Sequence, residues 1–272
     1  MTEPLDPQAI LDRNRRAWDR LVARDDGFTR PADDQACRDG LRTVDPLGWL
    51  GDDLRGKRVL CLAAGGGRQG PIYASAGGIV TVVDLSPAML ERDRQVALER
   101  RLDLRTVETS MDDLGMFDVG EFDVVIHPVA TCYLPDIAAV YRQVARVLRS
   151  GGIYVSQHKT PTSLQTAIAP SERGYLLEEP YYRTGPLPEV AGSRLREEGC
   201  LEFLHRWEEL IGGLCRAGFV IEDLVEPCHA KAEDPIGSFG HRARFVAPYV
   251  RIKARRTGVE GGTERRSLWI PS

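Results

Sequence analysis

Short apolar runs alternate with amphipathic stretches through the middle of the chain. The apolar runs cover residues 58–64, 79–84, 105–109, 122–127 and 152–157, and these lengths suit strands. A continuous run such as Val59–Ala64 is typical of a parallel strand that helices cover on both faces. The alternation therefore predicts a doubly wound α/β sheet.

Further elements are predicted on either side of this core. Apolar residues at helical spacing indicate an amphipathic helix over residues 7–25 and another over Leu201–Ala217. Strand-like runs follow at Phe219–Glu226 and at Arg242–Arg255. In sequence order, these two runs complete a sheet of seven strands whose final strand is antiparallel.

Residues 159–199 interrupt the alternation with a long segment of little periodicity. The segment contains five prolines and three tyrosines. Because a structureless loop of this length in a compact domain is usually a lid or a binding segment, Tyr175, Tyr181 and Tyr182 are candidate walls of a pocket. The chain is expected to divide into an N-terminal helical cap (1–56), a core (57–158 and 200–256), a substrate-covering insertion (159–199) and a flexible tail (257–272).

A glycine-rich loop follows the first apolar run. Gly65, Gly66 and Gly67 let the chain turn sharply and bring bare backbone N–H groups close to a ligand. Asp84 stands at the tip of the next strand, where a carboxylate can accept hydrogen bonds from a ribose diol. The unit therefore indicates a nucleoside-binding site. Since Gly65, Gly67 and Gly70 also fit the dinucleotide pattern G-x-G-x-x-G, the loop alone leaves the cofactor open.

Four later motifs favour one cofactor by their order and spacing. They resemble segments of the class I S-adenosylmethionine-dependent methyltransferases, above all the ubiquinone/menaquinone type that acts on small molecules: Asp84–Leu90, Thr109–Leu114, Glu121–His127 and Val144–Gly152. The resemblance is strong over residues 57–160 and looser over residues 200–255. It implies a Rossmann-like fold, S-adenosyl-L-methionine as the cofactor, and an N-terminal helix that in this family often lies over the cofactor as a lid.

The resemblance also implies a set of cofactor contacts that begins with Asp84 and the ribose. The glycine loop would cradle the methionyl and ribose region, apolar side chains would sandwich the adenine, and Ser110 or Asp112 would bond its amino edge. Arg68 would either reach the methionyl carboxylate or project into solvent. The full set of expected cofactor-binding residues is Ala63, Gly65, Gly67, Arg68, Asp84, Leu85, Met89, Ser110, Met111, Asp112 and His127.

Two residues depart from the family's pattern. Cys61 stands at a strand position where the family usually has an acid, and Ala63 stands where it usually has a glycine. Because that acid commonly organises the loop and the methionyl amino group, the contact to the amino group is left open. Ala63 is tolerable if its φ is negative.

Methyl transfer places few demands on catalytic side chains. The sulfonium is already activated, so the protein mainly aligns an in-line displacement, and a base helps only when the acceptor has a proton to lose. His127 and His158 end strands at the edge where open α/β sheets bind ligands. We expect His158 to act as the base, His127 to contact the methionyl group and Tyr133 to orient the acceptor. The alternative is that each histidine only caps a strand end.

Composition narrows the partners. The net charge is −4, and the first residues lack the pattern of a signal peptide. No apolar run approaches the ~20 residues of a membrane helix. The six cysteines show no C-x-x-C spacing. These features favour a cytoplasmic protein that needs no metal and binds neither a membrane nor a nucleic acid. We expect it to be a monomer or a homodimer.

The sequence therefore predicts methyl transfer from S-adenosyl-L-methionine to a small-molecule acceptor. One alternative is an RNA or protein methyltransferase, which a basic patch of Arg13, Arg15, Arg16 and Arg20 with the C-terminal arginines would favour. A second is an NAD-type oxidoreductase that uses the same glycine pattern. A third is a non-catalytic binding protein that kept the fold.

Overall fold

One mixed sheet forms the centre of the molecule. The computed structural model describes residues 5–190, 193 and 195–258. The sheet has the strand order β3-β2-β1-β4-β5-β7-β6, in which β7 runs antiparallel to both neighbours and the other adjacent pairs are parallel. The seven strands are β1 (Arg58–Leu62), β2 (Ile79–Asp84), β3 (Leu104–Glu108), β4 (Phe122–His127), β5 (Leu148–Lys159), β6 (Phe219–Val225) and β7 (Tyr249–Arg256). The predicted Rossmann-like sheet with an antiparallel final strand is confirmed.

Helices cover both faces of the sheet and extend over its carboxyl edge. A π-helical turn at Glu208–Gly212 leads directly into one of them, and single 3₁₀ turns lie at Gly27–Thr29 and Thr131–Tyr133. The α-helices are α1 (Pro7–Ala23), α2 (Asp34–Asp39), α3 (Leu41–Val44), α4 (Gln69–Ser75), α5 (Pro87–Arg100), α6 (Ile137–Val147), α7 (Pro161–Gln165), α8 (Gly213–Arg216) and α9 (Phe239–Arg242). Within the described ranges, no helix is long and apolar enough to cross a bilayer.

Alternate residues of β1 enter two separate apolar cores. Leu60 and Leu62 pack in the core that contains the apolar face of α6, while Val59 and Cys61 pack in the core on the opposite side. All four side chains are fully buried. Cys61 is therefore a small apolar side chain of the core, which explains why an acid is absent from that position.

The helix predicted over Leu201–Ala217 begins only at Trp207. The preceding residues are extended because their backbone bonds to distant partners: the N–H of Leu201 donates to Asn14 Oδ1 at 2.7 Å, and that of Phe203 donates to the carbonyl of Cys132 at 2.7 Å. The prediction was wrong for residues 201–206, since tertiary hydrogen bonds override local propensity there.

The seventh strand begins at Tyr249, so the expected start at Arg242 was also wrong. Arg242 belongs to α9, and its guanidinium donates to the carbonyls of Ser163, Thr166 and Ala167. The segment from α9 to β7 therefore closes over α7. The tail expected at residues 257–272 lies outside the described residues from residue 259 onward.

A buried cluster of four charges attaches the insertion to the end of β5. The ammonium of Lys159 lies 2.8 Å from Glu197 Oε2 and also contacts Glu202, which in turn pairs with Arg196. The side chains of Lys159 and Glu202 are almost completely buried. Two acids and two bases balance each other, and removing one partner of such a pair leaves a buried charge, at a cost of about 3–5 kcal/mol. The cluster therefore holds residues 196–202 firmly beside β5.

Candidate active site

A cavity of about 480 Å³ lies at the carboxyl edge of the parallel strands. Residues that follow β1, β2, β3 and β4 all contribute to its wall, as do residues of α1, α4, β5 and β7. Small-molecule sites range over ~300–1,000 Å³ and occur at this edge of open α/β sheets. The cavity is therefore the candidate site.

Asp84 fixes the glycine loop at one end of the cavity. Its Oδ2 accepts from the N–H of Gly65 and its Oδ1 from the N–H of Ser86, each at 2.9 Å. A Cβ at Gly65 would lie only 2.8 Å from the Cβ of Met89 and 3.0 Å from Asp84 Oδ2, so the close approach requires glycine. Each carboxylate oxygen retains capacity for a second hydrogen bond, which suits a ribose diol.

The third glycine of the pattern has a packing role. A Cβ at Gly70 would lie 2.4 Å from Cγ2 of Val82, so glycine lets α4 approach β2. The third glycine of the literal pattern is therefore explained by helix–strand contact and does not by itself indicate a dinucleotide.

A second acid, Asp93 of α5, also bonds to the backbone of the glycine loop. Its Oδ2 accepts from the N–H of Gly66 at 2.9 Å, while its Oδ1 has no hydrogen-bond partner among the described residues. The side chain is fully buried. Asp93 thus organises the loop, a task that the family resemblance gives to an acid at the position of Cys61. Sequence reasoning missed it, although an acid four residues after Met89 on the buried face of a helix is a usable signal.

Ala63 adopts a left-handed backbone conformation with φ +48°. The condition under which alanine would be tolerable here, a negative φ, is therefore not met. An L-residue in this region costs about 1–2 kcal/mol, which explains why glycine is usual here. The strain is localised at the point where the chain leaves β1 for the loop.

Most of the expected cofactor residues line the cavity together. Gly67 and Asp112 do not: Gly67 accepts from the N–H of Ala32 through its carbonyl, and Asp112 accepts from the hydroxyl of Ser110. His127 is also outside the main cavity and borders a smaller adjoining one of about 90 Å³. The residues that the structure brings together are Ala63, Gly65, Arg68, Asp84, Leu85, Met89, Ser110 and Met111.

Helix α1 lies over the cavity, and its side chains bond or pack at both ends of the cavity. Asn14 is buried and donates to the carbonyls of Tyr133, at 2.9 Å, and Leu201, at 3.2 Å. Trp18 packs edge-to-face on Tyr133 with ring centroids 5.8 Å apart. Farther along the helix, Asp19 accepts from the hydroxyl of Ser86 at 2.6 Å. The helix therefore covers both the Asp84 end and the Tyr133 end.

The histidine expected to act as a base does not reach the cavity. His158 is fully buried, with Nδ1 2.9 Å from the hydroxyl of Thr131 and Nε2 2.8 Å from that of Ser156. The ring of His158 packs against Tyr141 of α6, so it lies on the face of the sheet that α6 covers. Burial holds the pKa of His158 well below its usual range, so the ring is neutral.

His127 has the same orientation. Its Nδ1 lies 2.8 Å from the hydroxyl of Tyr154, and its Nε2 is buried with no hydrogen-bond partner among the described residues. Burial lowers the pKa of His127 to about 3. Of the three residues expected to be catalytic, only Tyr133 lines the cavity.

The insertion reaches the cavity through Glu197, which sequence reasoning missed. Tyr175, Tyr181 and Tyr182 do not line the cavity. Tyr175 bonds to His241 Nδ1 at 2.8 Å, and Tyr182 is largely exposed. Although burial opposes the charge, the ammonium of Lys159 holds the pKa of Glu197 below its usual range, so the carboxylate is ionised.

The wall of the cavity also includes two further polar residues, Gln157 and Arg251. They face each other across the antiparallel pair of β5 and β7. Because β7 is antiparallel, its first residues lie at the carboxyl edge of the parallel strands. The sequence predicts an antiparallel final strand, and this prediction could have been used to place Arg251 at the site.

Known proteins share this core. The family model described as a methyltransferase domain matches residues 60–156. The chain is 34% identical to the uncharacterized methyltransferase YbaJ of Bacillus subtilis over 80% of this chain and 91% of that protein. It is 33% identical to a ubiquinone biosynthesis O-methyltransferase of Xanthomonas oryzae pv. oryzae over 44% of this chain and 51% of that protein. A crystal structure of an S-adenosylmethionine dependent methyltransferase from Mesorhizobium loti superposes with a TM-score of 0.63 at 22% identity, covering 81% of this chain and all of that one.

The chain belongs to the class I S-adenosylmethionine-dependent methyltransferases. The family resemblance in the sequence is confirmed, and the methyltransferase uses S-adenosyl-L-methionine as its cofactor. The residues present fit this group, because Asp84 offers carboxylate oxygens beside a loop whose Gly65 leaves no room for a side chain. Leu85 and Met111 offer apolar side chains nearby.

We predict that S-adenosylhomocysteine binds less tightly as the pH falls. Burial raises the pKa of Asp84 to about 6 and that of Asp93 to about 7, and both groups hold the loop best as carboxylates. A group with a raised pKa takes up its proton as the pH falls through that value, which removes a hydrogen-bond acceptor from the site. Calorimetric affinity should be highest above about pH 7.5 and about tenfold lower near pH 5.

The control for that titration is the Asp84→Asn variant. It should bind S-adenosylhomocysteine weakly, and its affinity should no longer change with pH near pH 6. An affinity of the wild-type protein that stays constant between about pH 8 and pH 5 would contradict the assignment of these carboxylates.

A second prediction concerns the strained alanine. Ala63→Gly should raise the free energy of unfolding by about 1 kcal/mol, because glycine adopts the left-handed conformation without a Cβ clash. The matched control is the neighbouring Ala64→Gly, since Ala64 is buried and its φ is not positive. That control should lower stability in urea denaturation. Equal destabilisation by both glycines would show that Ala63 is unstrained.

Proposed function

We propose that this methyltransferase transfers the methyl group to a small organic molecule. The carrying observation is that α1 and the segment around Glu197 both contribute wall to the same cavity as the glycine loop. An acceptor must therefore enter beneath these elements to approach the cofactor. A small molecule fits such a covered cavity better than a folded macromolecule does.

The cavity divides into two halves along the strand order. The cofactor half follows β3, β2 and β1 and contains Met111, Asp84 and Gly65. The acceptor half follows β4, β5 and β7 and contains Tyr133 and Gln157. When bound, S-adenosyl-L-methionine supplies a methyl group already activated as a sulfonium. The chain then has to align the acceptor in line with that group and exclude water.

The ionised carboxylate of Glu197 can orient a hydroxyl or amine donor in the acceptor half. The neutral rings of His127 and His158 do not line the main cavity, and they bond to Tyr154, Thr131 and Ser156. We therefore assign acceptor positioning to Tyr133 and Glu197 and leave the histidines a structural role.

The arginines of α1 give little support to a nucleic-acid acceptor. Arg13 pairs with Glu189, and Arg15 lies 3.8 Å from Asp12. On β7, Arg255 pairs with Glu222. Pairing with acids lowers the positive field that phosphate binding needs.

The test is a labelling experiment with methyl-labelled S-adenosyl-L-methionine. The protein is incubated in parallel with the small-molecule, RNA and protein fractions of one cell extract. We expect label in the small-molecule fraction, and at least tenfold less with Asp84→Ala, because a charge-assisted ribose contact contributes roughly 1.5–3 kcal/mol. Label confined to the RNA or protein fraction would contradict the proposal.

A further inference from the structure

Among the described residues, Arg251 is a cation of the acceptor half that forms no ion pair. It lies opposite Gln157 in the register of β5 and β7, and its Nε donates to Gln157 Oε1 at 2.6 Å. Both residues line the main cavity and the smaller adjoining one. The bond to Nε fixes the plane of the guanidinium and leaves its two terminal nitrogens, Nη1 and Nη2, as a pair of parallel donors.

Those two nitrogens have no protein partner in the described part of the chain. The side chain of Arg251 makes only the bond to Gln157 there and forms no ion pair. The acids that border the two cavities are occupied elsewhere. Glu197 bonds to Lys159, Asp45 accepts from the backbone of Trp49 and Leu50, and Asp84 accepts from Gly65 and Ser86. A cation of the cavity is thus left for a ligand.

The strand that carries Arg251 lies apart from the strands of the cofactor half, although its side chain borders the smaller cavity together with Gln69 and Tyr73 of α4. From β1 to β7 the sheet crosses three strand spacings, which is about 14 Å at ~4.8 Å per spacing. Arg68 lies beside the glycine loop and is the nearer cation for the methionyl carboxylate. Arg251 therefore faces the space of the acceptor.

We infer that the acceptor is a small organic acid whose carboxylate is bound end-on by Arg251. The inference rests on the proposed small-molecule function and names the class of substrate. A guanidinium with two parallel free donors matches the two oxygens of a carboxylate, and this match is the strongest that arginine forms. The remaining wall of this half is largely apolar, with Ala130, Leu134 and Trp18, so the body of the acid is hydrophobic.

The experiment measures the binding of two acids and their neutral amides to protein saturated with S-adenosylhomocysteine. The probes are phenylacetate with phenylacetamide, and hexanoate with hexanamide. For at least one pair, the wild-type protein should bind the acid at least tenfold more tightly than the amide. Arg251→Gln should abolish that difference. Arg251→Lys should keep part of it, because lysine retains the positive charge but lacks the two parallel N–H donors of the guanidinium.

The matched control is Lys253→Gln. Lys253 lies two residues along the same strand and on the same face, pairs with Glu222 at 3.1 Å, and does not line the cavity. Its substitution removes the same charge and should leave the preference for acids intact. Affinity for S-adenosylhomocysteine should stay within about twofold in both Arg251 variants, since a cofactor contact is not involved.

Two results would overturn the inference. The first is a wild-type protein that binds acids no better than amides, or that binds neither. The second is a tenfold loss of S-adenosylhomocysteine affinity in Arg251→Gln with unchanged acid binding, because Arg251 would then hold the methionyl carboxylate. Failure of the proposed small-molecule function would give a different result. In the labelling experiment, label would appear only in RNA or protein, whatever the acid and amide probes show.

Discussion

The carboxylate of Asp84 is the contact on which the cofactor half of the site depends. One oxygen receives the N–H of Gly65 and the other the N–H of Ser86. Ser86 in turn caps α5 by accepting from the N–H of Met89, and its hydroxyl donates to Asp19 of α1. A single half-buried acid therefore fixes the loop, the start of a helix and the position of the covering helix. Its burial opposes ionisation, and the donors around it offset that cost.

The acceptor half depends on a different arrangement of charge. The buried cluster around Lys159 is internally balanced, so it holds the insertion in place, and of its four charged groups the carboxylate of Glu197 is the one that lines the cavity. Arg251 contrasts with it, because its terminal nitrogens have no acid beside them in the described ranges. The cluster around Lys159 fixes the shape of the site, and Arg251 gives the site its proposed preference for a carboxylate.

Much of the fold and of the cofactor half could be predicted from the sequence. The strands are continuous apolar runs, and Asp84 follows the glycine loop at a spacing that local geometry requires. The orientation of His127 and His158 could not be predicted, because both faces of these strands are apolar and the two-residue period does not say which face meets the cavity. Glu197 and Arg251 were missed because they enter through an irregular insertion and a reversed strand.

The error at residues 201–206 has a similar origin. The apolar pattern of a helix starts at Trp207, and the extended residues before it are held by Asn14 and Cys132, which lie far away in the sequence. Asp93 shows the opposite case. An acid on a buried helical face was visible in the sequence, but only the structure shows that Gly66 is its partner.

The most direct measurement is a crystal structure of the complex with S-adenosylhomocysteine. We expect ribose hydroxyls within hydrogen-bond distance of both oxygens of Asp84, the adenine between Leu85 and Met111, and the sulfur facing the half of the cavity that contains Tyr133 and Gln157. A ribose bound away from Asp84, or a ligand that occupies the Tyr133 end instead, would contradict it.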